Sequence, residues 1–189
     1  MVVVVIIATV GALGAGMMRR AINGSTEPSF ARAAMQVMHE ARHSVMTTGR
    51  AARVRIVLPS GAPVQLVSEV LNPADSTKTN WLTIATTNAP PLMQFCEPAV
   101  GVNLTTTGTP TCPITSSMNT IVCFAPNGRV NLTTSATACP GTGSSTASMP
   151  SSGGGATVYF RGTQSTNNDV KYKLVVWGLT GLPKLVDSW

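Results

Sequence analysis

Residues 31–58 read ARAAMQVMHEARHSVMTTGRAARVRIVL, and the period of the apolar residues changes inside this stretch. Ala31, Ala34, Met35, Met38, Ala41 and Val45 recur three and four apart, which draws one apolar stripe along a helix. Arg32, Gln36, His39, Glu40 and His43 fall mostly on the other faces. Gly49 is placed to end that helix. From Arg53 the period becomes two, so Val54-Arg55-Ile56-Val57-Leu58 predicts a strand, stopped by Pro59-Ser60-Gly61. The stretch therefore predicts an amphipathic helix running directly into a β domain. Ala34, Met35, Met38, Ala41 and Val45 are the residues expected to pack the helix onto that domain.

Upstream, Asn23-Gly24-Ser25-Thr26-Glu27-Pro28 interrupts the helical pattern, with Ser25 or Thr26 able to cap a restart. Before it, residues 1–18 read MVVVVIIATVGALGAGMM without a single charge. As a helix this run would be about 27 Å long, close to the hydrocarbon thickness of a bilayer. The expectation is a transmembrane helix over 1–22, surrounded by lipid and later by neighbouring helices. Val2, Val3, Val4, Val5, Ile6, Ile7, Val10 and Leu13 supply its apolar surface. Ala8, Gly11, Ala12, Ala15 and Gly16 allow close helix approach. Arg19 and Arg20 follow the run and by themselves would hold its C-terminal side in the cytoplasm. The cysteines, all downstream, argue for the opposite orientation, and a basic leader upstream of Met1 would reconcile the two.

Downstream, alternation and turn signals predict strands at Pro63–Val70, Trp81–Ala85, Thr120–Phe124, Arg129–Leu132, Ala156–Arg161 and Val170–Gly178. Pro126-Asn127-Gly128 is a turn, and 141–155, GTGSSTASMPSSGGG, predicts a mobile surface loop. Charged residues are 11% of the chain, and the net charge of +6 is uneven. Residues 1–58 hold seven arginines against Glu27 and Glu40, a balance of +5, leaving +1 for the rest. The fold class expected is α+β: a long N-terminal helix, transmembrane and then amphipathic, packed on a small antiparallel β-sheet domain. The parts are 1–22 as the apolar helix, 23–52 as the amphipathic helix and 53–189 as the β-rich head.

Cys96, Cys112, Cys123 and Cys139 include no C-x-x-C pair, which disfavours a zinc ribbon or a thioredoxin-like site. An even number in a turn-rich region predicts disulfides and an oxidising compartment. Three pairings exist, with four buried free thiols as the alternative. Loop closure favours the local pairing, Cys96–Cys112 and Cys123–Cys139.

A hydrophobic N-terminal helix continuing into an amphipathic one, followed by a small β domain, resembles the type IV pilin and pseudopilin superfamily. MVVVVIIATVGAL at residues 1–13 looks like the apolar stretch of the pilin signature. Three further elements resemble the GspH, FimT and FimU group of minor pilins: AMQVMHEARHSVMTTGRAARVRI at 34–56, TIVCFAPNGRV at 120–130 and YKLVVWGLTGLPKL at 172–185. The family's leader, cleavage site and nearby glutamate are absent here; Met1 falls just beyond their place, and a start further upstream is expected. The resemblance implies a non-enzymatic structural subunit without a cofactor. It would be a single-pass inner-membrane precursor with its head in the periplasm, trimmed and N-methylated by prepilin peptidase where an upstream leader exists. It would then enter a type IV pilus or a type II secretion pseudopilus at the cell surface, priming or capping it. The implied partners are other minor and major pilins or pseudopilins and the inner-membrane assembly platform.

His39-Glu40-Ala41-Arg42-His43 matches H-E-x-x-H, in which two histidines one turn apart bind zinc and the glutamate acts as base. A zinc hydrolase also needs a third ligand. No third histidine exists in the chain; Glu69 is the nearest downstream carboxylate, on a strand, and Arg42 sits between the two histidines. The pattern is therefore read as a solvated helical face. Arg19, Arg20, Arg32, Arg42, Arg50, Arg53 and Arg55 could form a stripe for DNA. Some minor pilins that this chain resembles bind DNA through basic residues near the C-terminus, and Lys171, Lys173 and Lys184 are the matching candidates. Nucleic acid is not the expected partner, because the tail offers only Lys184, offset by Asp187.

Overall fold

The computed structural model describes residues 27–59, 63–75, 80–91, 93–102, 104, 110–114, 121–133, 139, 154–162 and 170–187. Helix α1 occupies 27–48, 22 residues, and ends with Gly49 at φ 65°, its amide donating to the Val45 carbonyl. Glycine is favoured there because a side chain resists positive φ. Nine strands follow among the described residues: β1 (Ala52–Val57), β2 (Gln65–Leu71), β3 (Trp81–Asn88), β4 (Met93–Val100), β5 (Ile121–Phe124), β6 (Val130–Thr133), β7 (Ala156–Gly162), β8 (Val170–Val176) and β9 (Pro183–Asp187). They form a five-stranded sheet in the order β3-β2-β1-β5-β6 and a four-stranded sheet in the order β4-β7-β8-β9. Every pairing is antiparallel.

One core serves the helix and both sheets. Phe30, Ala31, Ala34, Val37, Met38, Ala41 and Val45 of α1 are buried, and Met35 packs partly buried beside them. The first sheet presents Ala52, Val54, Ile56, Leu66, Val122, Phe124 and Val130, every second residue along β1 and β5. The second presents Phe95, Ala156, Val158, Phe160, Tyr172, Leu174 and Val176. Period-2 alternation and the 3.6-residue helical stripe thus point at the same interior.

This architecture corrects the expected fold class. The described chain is mostly β, with two antiparallel sheets and one 22-residue helix, rather than a long N-terminal helix on a small sheet. The discrepancy lies in strands that sequence patterning undervalued. Met93–Val100 carries Glu97 and Pro98, residue types depleted in strands. Yet β4 is an edge strand, where proline is tolerated, and its register shifts between Cys96 and Ala99 to accommodate it. Strand β9 begins at Pro183 on the other edge of the same sheet.

The expected localisation is corrected with it. Among the described residues no helix is long and apolar enough to cross a membrane, which conflicts with a single-pass inner-membrane protein. Helix α1 carries Arg32, His39, Glu40, Arg42 and His43, charged or titratable groups that a spanning helix would have to desolvate. The run 1–22, with Val2, Val3, Val4, Val5, Ile6, Ile7, Val10 and Leu13, lies outside the described residues, as do 141–153 of the Gly/Ser loop.

Two disulfides hold the head. Cys96 bonds Cys112 and Cys123 bonds Cys139, each closing a separation of 16 residues. Cys123 and Cys139 are buried under Trp81. Replacing both by alanine should lower stability by about 3 kcal/mol, the entropy that a loop of this length removes from the unfolded chain. The check is the Tm of the variant against that of the oxidised protein.

The start of α1 is fitted to the end of β7. The Glu27 side chain is buried, and a Cβ placed on Gly162 would collide with its carboxyl group. Gly162 therefore leaves room for the first described turn of the helix to reach the sheet. Gly162→Ala should destabilise by about 1–3 kcal/mol through this overpacking, measured by urea unfolding.

Candidate binding surface

The C-terminal half of α1 meets two turns. One, Ala125–Arg129, joins β5 to β6, and the other, Trp177–Leu182, joins β8 to β9. Hydrogen bonds tie the second turn down. The Trp177 amide donates to the Leu182 carbonyl at 3.1 Å, and the Gly181 amide to the Trp177 carbonyl at 2.8 Å. The Val130 amide donates to the Gly178 carbonyl at 2.8 Å, and Arg42 Nε of the helix to the Thr180 carbonyl at 2.8 Å. Gly181 adopts φ 63° with Val130, Arg42 and Phe124 closely packed around it, so the turn is seated on the core rather than projecting freely.

On this pinned turn stand large apolar side chains in water. Leu179 is 70% exposed, Leu182 43% and Trp177 38%, and Met46 on the neighbouring helix is 67% exposed. Leu179 forms a ridge between two clefts and lines both. The first, about 360 Å³, lies between α1 and the 125–128 turn, with Arg42, Met46, Phe124 and Pro126 in its wall. The second, about 720 Å³, is lined by Val102, Trp177, Leu182, Pro183 and Lys184. Concave apolar surface around a rigid ridge is the usual form of a binding site, and a contiguous exposed apolar patch of this kind marks an interaction surface.

The other candidate residues are distributed differently. His39 and His43 are exposed on α1, and Glu40 accepts a hydrogen bond from Gln36 at 3.0 Å. Among the described residues no group of three or more His, Cys, Asp or Glu side chains is placed to hold a metal ion. Arg42, between the two histidines, serves the 177–182 turn. Glu69, the downstream carboxylate of the zinc reading, is committed to Arg53 at 2.5 Å and Arg55 at 3.3 Å. Arg53 is buried, and its guanidinium lies 4.1 Å from the centre of the Trp81 ring. Burial pulls its pKa below the ordinary arginine value, and the hydrogen bond and charge of Glu69 pull it back. Neither Arg53 nor Glu69 is therefore free for a polyanion or a metal. Lys173 is 1% exposed, its Nζ donating to the Leu104 carbonyl at 3.1 Å, so it cannot reach a phosphate backbone. Lys171 is half-buried, and Lys184 is exposed beside the second cleft. The register sets Lys171, Lys173 and Lys184 on one face of the second sheet, since Lys184 pairs with Val175, but with Lys173 covered they do not make a continuous exposed basic surface.

Sequence patterning passed over Met46, Leu179 and Leu182 as surface features. The available signal was compositional: Trp177-Gly178-Leu179-Thr180-Gly181-Leu182 is a turn carrying Trp and two Leu where polar residues are usual. Compared with protein-family models, with curated proteins and with solved structures, the chain gives no match.

Proposed function

We propose that this chain is a structural subunit, in kind a minor pilin or minor pseudopilin, that joins sister subunits through its apolar N-terminal run and presents a β-rich head to partners. It would prime or cap a filament of the type IV pilus or type II secretion pseudopilus sort, without a cofactor. The observation that carries the reading is how the apolar run is connected. The uncharged residues 1–18 precede, by eight residues, a helix whose apolar stripe is sunk into the core shared by both sheets. A neighbour gripping that run would hold the head through α1, because moving the helix means uncovering Ala34, Met38, Ala41 and Val45. The elements at 34–56, 120–130 and 172–185 that resemble minor pilins contain α1 residues, the β5–β6 turn and the β8–β9 turn that line the first cleft.

The test is incorporation. Filaments sheared from the native cell should contain the full chain in low copy, and a chain lacking residues 1–18 should fold but be missing from them. Equal recovery of the truncated chain, or no full-length chain in any filament fraction, overturns the reading.

A further inference from the structure

We infer that the ridge and two clefts at the β8–β9 turn dock a segment of another protein that carries apolar side chains and carboxylates together. The inference rests on this surface alone and does not require the filament reading.

The geometry selects against the other occupants. Four exposed apolar residues, Met46, Trp177, Leu179 and Leu182, gather here. The hydrogen bonds that fix the turn hold the backbone of Trp177, Leu179 and Leu182 in place before any partner arrives, which lowers the ordering cost of binding. A flat lipid surface would meet Leu179 and leave the clefts on either side unfilled, whereas side chains of a protein segment fill them as knobs fill holes. The charges define the partner further. Arg42 lines the first cleft and Lys184 the second, and Arg129, exposed, is the residue after Gly128 of the first cleft's wall. No Asp or Glu is among the described lining residues of either cleft. A second copy docking by the same patch would bring these cations onto a surface that offers them no carboxylate, and like charges across an interface oppose association. A segment with Leu- or Phe-like residues spaced to straddle the Leu179 ridge, and with Asp or Glu reaching Arg42 and Lys184, satisfies both the clefts and the rim.

The experiment places a photoreactive benzoyl-phenylalanine at position 179 of the full chain in its native cell, illuminates it and sequences the crosslinked peptide. A control probe sits at Thr83, exposed on β3. The expected product is one protein partner whose crosslinked segment holds several apolar residues with at least one Asp or Glu within a helical turn of them. Lys184→Glu with Arg129→Glu, which leaves the turn's hydrogen bonds intact, should lower the yield about tenfold, the loss of two rim charges and their replacement by like ones. Near-UV circular dichroism of that variant confirms that it folds. Crosslinks to lipid, to a second copy of this chain or to a segment without carboxylates each overturn the proposal. So does a yield no greater than that of the control, or one that charge reversal leaves unchanged.

Discussion

Glu69→Ala should cost about 3–5 kcal/mol of folding stability, because it leaves a buried guanidinium without its counter-ion. Glu69 and Arg53 are direct cross-strand partners on β2 and β1, and both side chains are nearly buried, at 10% and 7% exposure. They lie on the face of the first sheet turned away from the helix, where Trp81 covers the arginine and the Cys123–Cys139 disulfide packs against Trp81. Truncating the carboxylate removes the hydrogen bond to Arg53 Nε and the contact to Arg55. The midpoint of urea unfolding should therefore fall sharply with the m-value unchanged. Arg53→Met combined with Glu69→Leu should recover most of the loss, since an apolar pair of similar volume avoids desolvating two charges. High salt should not rescue the single variant, because a buried pair is poorly screened. A loss below about 1 kcal/mol would mean that water reaches the pair and that it behaves as a surface bridge.

That ion pair also marks the limit of what patterning could read. Alternation along Arg53–Leu58 and Pro63–Val70 placed β1 and β2 nearly where they lie. It could not show that Arg53 and Glu69 are buried together, because polar residues of an alternating strand usually face water. The cover over them comes from Trp81 and from Cys139, brought back by a disulfide, and no local period encodes that. The helical stripe was legible for the opposite reason. Ala34, Met38, Ala41 and Val45 repeat at the helical spacing, and burial follows from the repeat itself. Strand β4 was lost because Glu97 and Pro98 break its pattern, although an edge strand tolerates both. The binding surface was lost because hydrophobicity alone does not say whether a Leu such as Leu179 points into a core or out of a turn. Only the hydrogen bonds from Arg42 to Thr180 and from Val130 to Gly178, which tie together distant parts of the chain, fix it outward.

Phe160→Ala should lose about 3–5 kcal/mol, the transfer and cavity cost of deleting a fully buried ring. Phe160 is 0% exposed and sits in a row across the second sheet, opposite Phe95 of β4 and Tyr172 of β8. Its ring centre lies 5.9 Å from that of Phe95 and 5.8 Å from that of Tyr172. Phe30, in the first described turn of α1, completes the group, edge-on at 5.8 Å from Phe160 and 5.9 Å from Phe95. Such pairs add about 0.5–1.5 kcal/mol each beyond area burial, so the cavity would be lined by rings that lose a favoured neighbour. Phe160→Leu, which keeps most of the volume, should cost about 1.5 kcal/mol or less. The damage should also be local in a way that a general loss of core would not be. The aromatic group holds the N-terminal part of α1, whereas Val45 and the Arg42–Thr180 hydrogen bond hold its C-terminal part. Amide exchange in Phe160→Ala should therefore speed up more over residues 30–37 than over 41–48. Equal acceleration along the whole helix would mean that α1 leaves the sheets as one unit. A grip on the apolar run at 1–18 would then pull on every contact of the helix at once, rather than on the aromatic end first.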